Sequence, residues 1–187
     1  MMINRKIIEA EIEQLLGKSA WTHKIQEKQA DIYHSYRIWI ECIRIIVSAC
    51  TASGILIILF DEQTFIFKLI TAIIALINTG INLYFKNFNF QSLERIHKEN
   101  AVKWLGLRED YIALISEMRA GVLSDEEVID RKRILLERYK LISKETPITT
   151  NGAYKRAKKA LNINMDDIIS QDEIDKFLPE ELRKESK

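Results

Sequence analysis

Ile45 to Phe60 reads IIVSACTASGILIILF and, after Asp61, Glu62 and Gln63, Thr64 to Phe85 reads TFIFKLITAIIALINTGINLYF. The first run has no ionisable side chain except the Cys50 thiol and makes roughly 24 Å of helix at 1.5 Å per residue. Extended backwards through Ile38, Trp39, Ile40 and Ile43, with Glu41 and Arg44 near enough to the end to snorkel, it is long enough to cross a bilayer. The second run carries a single charge, Lys68, about one turn from its start, and spans on its own. A soluble hairpin of this kind would need amphipathic helices to cover two helices apolar on nearly every face. The pattern therefore predicts two transmembrane helices joined by a minimal acidic loop.

Working outward, about forty charged, helix-forming residues precede the first run, which excludes a cleaved signal peptide. Lys28, Arg37 and Arg44 precede the first span and Lys86, Arg95, Lys98 and Lys103 follow the second, whereas the loop holds two acids and no base. The positive-inside rule then places both termini in the cytoplasm and, in a bacterium, the hairpin in the inner membrane. Cys42 and Cys50 would stay reduced and unpaired there. Over the 187 residues, 28 Lys and Arg balance 27 Asp and Glu, so bulk charge points neither to a nucleic-acid coat nor to an acidic tail. Two Pro and six Gly argue against a loop-rich β-sandwich. The average hydropathy lies near zero only because one apolar third is averaged with two polar ones.

Each span has two faces. In the second, Thr64, Lys68, Thr71, Ala75, Asn78 and Asn82 recur at spacings of 4, 3, 4, 3 and 4, which puts nearly every polar side chain on one stripe. The first repeats this more weakly, with Glu41, Arg44, Ser48 and Thr51 on one face and the small residues Ala49, Cys50, Ser53 and Gly54 beside it. A polar stripe at membrane depth must meet protein or water. Two readings follow: the asparagines hydrogen-bond across a helix pair, or several copies turn Lys68, Thr71, Asn78 and Asn82, with Arg44, Ser48 and Thr51, towards a shared, water-containing axis.

Beyond the membrane, Leu93, Ile96, Asn100, Trp104, Leu107, Tyr111, Leu114 and Met118 form a seam at alternating three- and four-residue spacing, predicted to continue unbroken from the second span. Ile25, Ile32, Tyr36, Trp39 and Ile43 form a comparable seam from about Trp21, preceded by a short amphipathic segment with Ile8, Ile12 and Leu15. The two should pack antiparallel as a stalk. Ser124 to Glu127 is a capping box opening a helix from Asp125 to about Ser143, with Thr146-Pro147 beyond its end. A turn at Asn151-Gly152 then leads to a short basic helix with Lys155, Arg156, Lys158 and Lys159, candidates for an anionic lipid, RNA, nucleotide or partner site, although such clusters more often form a solvated face. Ser170 to Glu173 forms a second capping box.

The predicted architecture is all-α: N-terminal cytoplasmic amphipathic helices over 1–37, transmembrane helices over 38–60 and 64–86 around an external loop at 61–63, a continuation helix over 87–120, and C-terminal cytoplasmic helices over 121–187. Neither a glycine-rich phosphate loop nor a paired-cysteine zinc spacing nor a G-x-S-x-G elbow occurs, and His23, His34 and His97 make no i, i+4 pair. Asp166, Asp167, Asp172 and Glu173 lack the Gly and terminal Glu spacing of a calcium loop. No catalytic, metal or cofactor site is expected.

An amphipathic helix with Trp21, two spans with a minimal acidic loop, a long continuation helix, and the tail AYKRAKKALN…EIDKFLPEELR together resemble the SLATT proteins. These are two-transmembrane effectors associated with SMODS nucleotidyltransferases and SLOG sensors in bacterial conflict systems, and the tail looks most like the branch found near reverse transcriptases. The resemblance implies a homo-oligomeric effector that opens the membrane after a cyclic nucleotide, or a partner such as a nucleotidyltransferase, SLOG sensor or reverse transcriptase, reports phage infection. It carries no catalytic residue over. The alternative from the residues alone is a membrane-anchored scaffold that recruits a partner through its C-terminal helices without conducting.

Overall fold

A computed structural model of the chain describes residues 5–60, 65–87 and 89–164. The acidic loop, the second capping box and the Asp166 to Glu173 cluster lie outside the described residues. Within them the chain is helical. Helix α1 runs without interruption over Arg5–Phe60, 56 residues or about 84 Å, so the amphipathic segment, the seam and the first span are one rod. The expected step near Trp21 is absent: Gly17 lies on an open face, with nothing within 4 Å of where a Cβ would sit, and there glycine lowers helix propensity without breaking the helix.

Helix α2, Phe65–Asn87, returns antiparallel to the upper part of α1, and helix α3, Phe90–Arg119, continues down its lower part. The continuation is not unbroken. Asn89 leaves the helical region (φ −85°, ψ 80°) and its side chain accepts the Ser92 N–H, starting α3 afresh. Phe90 fills the corner, its ring 6.0 to 6.2 Å from those of Tyr36, Tyr33 and Phe85. The break therefore sits where the membrane pair hands over to the bundle.

The bundle core is built from α3: Trp104, Leu107, Tyr111, Leu114 and Met118 are buried with Ile12 of α1 and Val128 and Ile142 of α4, as the seam spacing predicts. Four seam positions depart. Ile96 is exposed, its neighbour His97 being buried instead, and on α1 Tyr36, Trp39 and Ile43 are exposed while Ser19, Gln26 and Gln29 are buried. On α1 the buried positions at heptad spacing are Ile12, Ser19 and Gln26, polar after the first, and its apolar residues near the membrane face outward. Helix α4, Asp125–Glu145, opens with the predicted capping box: Ser124 Oγ accepts the Glu127 N–H, and the Glu127 carboxylate accepts the Ser124 N–H at 2.8 Å. These bonds hold the Glu127 carboxyl below the usual range, the Ser124 backbone contributing most.

Helix α5 occupies Asn151–Lys159, followed by a π-helical turn at Ala160–Asn164. Asn151-Gly152, expected as a turn, is instead the first turn of α5. Thr150 caps it by accepting the Ala153 N–H, and Gly152 lies against Ile32, so capping and docking outweigh the poor helix propensity of the pair.

The apolar runs are bare. Trp39, Ile45, Ile46, Phe65, Leu76 and Leu83 are more than half exposed, and almost none of either run is covered by the rest of the chain. Two adjacent helices that leave this much aliphatic surface open are built for a lipid solvent.

Candidate functional site

Three groups of residues stand out, two of them predicted. The first is the stripe between the spans. Arg44 Nε donates to Asn82 Oδ1 (2.9 Å), Asn82 Nδ2 donates to Asn78 Oδ1 (3.2 Å), and Asn78 Nδ2 reaches Ser48 Oγ at 3.5 Å. The polar faces of α1 and α2 are thus turned towards each other. Thr51 and Thr71 hydroxyls donate within their own helices, to Val47 and Phe67 carbonyls. Thr71 is buried against Gly54, where a Cβ would come within 2.9 Å of Thr71 Cγ2, so the two helices approach closely there and the site needs glycine. Lys68 is exposed near the far end of α2. Cys42 and Cys50 are free.

The second group, Lys155, Arg156, Lys158 and Lys159, lies on the outer face of α5, whose inner face is Ala153, Ala157 and Ala160. None of the four has an acidic partner among the described residues. This sets them apart from the cations that tie helices together: Lys103 to Glu145 at 2.7 Å, Arg119 to Glu9 and Glu13 at 2.7 Å, and the pairs Arg131 with Glu117, Lys132 with Glu11 and Arg138 with Asp110. Such exposed pairs contribute little stability individually and serve mainly to fix register. The α5 cluster has no such use. Trp21 stacks on Tyr154 at 6.0 Å between centroids and anchors the helix beneath it.

The third group was not legible as a site. The strap from Thr146 to Thr150, linking α4 to α5, is fastened to α1 and α3 by buried amides. Trp104 Nε1 donates to Thr146 Oγ1 (2.9 Å) and to Asn100 Oδ1 (3.1 Å). Gln26 Nε2 donates to the Pro147 carbonyl (3.0 Å), while Gln26 Oε1 sits 2.5 Å from His97 Nδ1. Gln29 Oε1 accepts from both the Thr150 N–H and hydroxyl at 2.8 and 2.9 Å. Because Gln26 donates through Nε2, its oxygen faces His97, which makes His97 Nδ1 the proton-bearing nitrogen. Burial pushes the His97 pKa below its ordinary 6.5, so the ring is neutral at pH 7. Asn100, the polar member of the α3 seam, orients the Trp104 indole.

Nearer the membrane, Glu94 accepts from His34 (2.9 Å) and Arg37 (3.1 Å), and Arg37 also reaches Glu41 at 3.4 Å. Burial alone would raise the Glu94 carboxyl, but these two donors hold it below the usual range. The pair pins α1 to α3 just below the break at Asn89.

No curated protein and no solved structure matches the chain. A family model matches over residues 8–173, from the first turns of α1 to beyond α5. With two bare apolar helices and a helical bundle on one side of them, the chain belongs to the SMODS and SLOG-associating 2TM effector domain family 4.

Proposed function

We propose that this protein is a non-enzymatic membrane effector of a bacterial anti-phage system, held closed in the inner membrane with both termini cytoplasmic, which assembles into a pore after a signal reaches its bundle. The resulting leak would arrest or kill the infected cell. The observation that carries the reading is the hydrogen-bonded row Arg44, Asn82, Asn78 and Ser48 between two otherwise apolar helices. In the resting chain the row is partly satisfied across the pair. In an assembly of several copies, rotation of α2 would turn Thr71, Asn78 and Asn82, with Lys68 at the far end and Ser48 and Thr51 from α1, towards a shared axis where water replaces the internal partners. The α5 cations Lys155, Arg156, Lys158 and Lys159 are the surface on which a nucleotide, or an acidic face of a partner such as a nucleotidyltransferase, SLOG sensor or reverse transcriptase, would act. The strap gives that event a mechanical route to α1, the helix that also forms the first span.

A second reading, a membrane-anchored scaffold without conduction, is favoured by one specific fact: the stripe already has partners inside one hairpin. The two are separated by Asn78→Leu with Asn82→Leu. Leu inserts more favourably than Asn but offers no polar lining. A pore predicts loss of overexpression toxicity and of membrane-potential dye leakage at unchanged protein level in the membrane, with the lipid-facing control Ile73→Leu, Ile77→Leu silent. Leakage equal to that of the native chain would put the scaffold ahead.

A further inference from the structure

Arg44 lies at the junction of two clefts. One, of about 190 Å³, opens on the bundle side between α1 and the start of α3 and is lined by Arg37, Glu41, Asn89 and Gln91. The other, of about 520 Å³, runs along the α1–α2 pair into the apolar zone past Ile45, Ser48 and Asn82. Both are lined by Glu41 and Arg44. A polar pocket leading into a trough between membrane helices has the outline of a headgroup continued by an acyl chain.

Depth and charge agree with that outline. Exposed Tyr36, Trp39 and Tyr84 mark the boundary at which aromatic rings gather at a membrane surface. Arg44 is five residues further in, roughly 7.5 Å along α1. Side chains on a helix lean towards its N-terminus, so the guanidinium of Arg44 leans back towards the boundary. Arg37 is occupied by Glu94 and Glu41. Arg44 has no carboxylate within ion-pair distance among the described residues, its one hydrogen bond going to the neutral amide oxygen of Asn82. A guanidinium just inside a bilayer calls for an anion, and the anion abundant at that depth is phospholipid phosphate. Glu41 opposes an anion, but Arg37, on the same cleft, pairs with its carboxylate at 3.4 Å and offsets its charge.

We propose that this double cleft binds the phosphate of an anionic phospholipid, with Arg44 as the principal cation, the Asn89 and Gln91 amides as neutral donors, and an acyl chain along the α1–α2 trough. The site rests on the membrane reading above. A bound lipid would bridge both spans and the start of α3.

The test uses the full chain purified in neutral detergent and counts retained lipid by native mass spectrometry. The probes are dioleoyl phosphatidylglycerol, dioleoyl phosphatidylcholine and inorganic phosphate. Phosphatidylglycerol should be retained over phosphatidylcholine, Arg44→Gln should lower its retention about fivefold, Arg44→Lys should keep most of it, and Arg95→Gln, on the exposed face of α3, should change nothing. Circular dichroism on each variant separates lost binding from lost folding, and the Lys variant retains the charge if Gln fails to fold. Equal retention of both lipids, or of phosphatidylglycerol by native and folded Arg44→Gln protein, would overturn the site. Displacement of phosphatidylglycerol by inorganic phosphate at comparable concentration would reassign the cleft to free phosphate. Extraction of the chain without detergent would instead refute the membrane reading itself.

Discussion

Gln26→Leu tests whether the strap is a latch. The Gln26 side chain is only 1% exposed and serves two groups on different elements, donating to the Pro147 carbonyl of the strap and accepting from His97 on α3. Leucine has nearly the same volume and makes neither bond. The His97 N–H stays buried between α1 and α3 whether or not the strap is docked, so its loss weakens the α1–α3 contact. The Pro147 carbonyl, by contrast, recovers water when the strap lifts. Leaving one buried acceptor without a partner costs about 1–3 kcal/mol, which favours undocking of the strap and α5 by about 5- to 150-fold at 1.4 kcal/mol per decade. Hydrogen exchange of the full chain in detergent reads this locally, because the α5 amides exchange through that opening. Exchange at Tyr154 and Ala157 should accelerate by that factor, with α2 unchanged. Ile148→Ala, on the same strap but 94% exposed, should have no effect. If α5 protection in Gln26→Leu stays within twofold of the native chain, the amides are not what holds the strap and the mechanical route to α1 fails.

Other outcomes follow from the same geometry. His97 resists protonation when folded, so the unfolded chain takes up the proton first as the pH falls through 6.5, and stability should decline below that value and level off below the folded pKa. A plot of melting temperature against pH should lose this component in His97→Phe. The Tyr111 hydroxyl is buried in the core with no hydrogen-bond partner, and burial, reinforced by Tyr139, pushes its pKa up to about 12. Tyr111→Phe should therefore be neutral or stabilising by up to about 1 kcal/mol in thermal unfolding, and a loss of more than that would mean the hydroxyl is paired. Reversing Lys155, Arg156, Lys158 and Lys159 to glutamate should abolish the response to phage while membrane insertion, read by fractionation, is kept; a full response would return them to a solvated face. A cysteine at Glu62 should be labelled on intact cells by an impermeant thiol reagent and one at Lys187 should not, the reverse pattern inverting the topology.

The two spans, the α3 core from Trp104 to Met118 and the Ser124 capping box could be read directly, because each rests on a strong local rule: length of apolar run, helical spacing, or a reciprocal cap. What escaped were places where polar residues do the packing. Hydropathy selects Tyr36, Trp39 and Ile43 as the continuation of the α1 seam, yet near a membrane those residues have lipid or interface to face and need no protein cover. The seam passes instead through Ser19, Gln26 and Gln29, and the two glutamine amides satisfy a strap more than a hundred residues away in sequence. The seven-residue spacing of Ile12, Ser19 and Gln26 was a signal, but one visible only if a polar residue is allowed in a core position. The break at Asn89 was signalled by an Asn three residues before Ser92, which is cap spacing. The continuous seam on either side of it masked the cue.

The stripe on α2 is a different case, since one spacing satisfies both a paired hairpin and a shared axis. Hydrogen-bond capacity bears on the choice. An amide side chain can make about four hydrogen bonds, two through each end. Asn82 accepts one from Arg44 and donates one to Asn78, and Asn78 accepts that one and reaches Ser48 at the outer limit of bonding distance. Each asparagine thus uses about half its capacity in the hairpin. The remainder lies at membrane depth, where unmet polar groups are costly. A hairpin selected only to anchor a scaffold would gain by replacing both with leucine, which inserts better and packs as well. Half-satisfied amides are instead suited to a resting state close in energy to a second one, in which water or a neighbouring copy supplies the missing bonds. That balance is what the proposed pore-forming effector would require and a passive anchor would not.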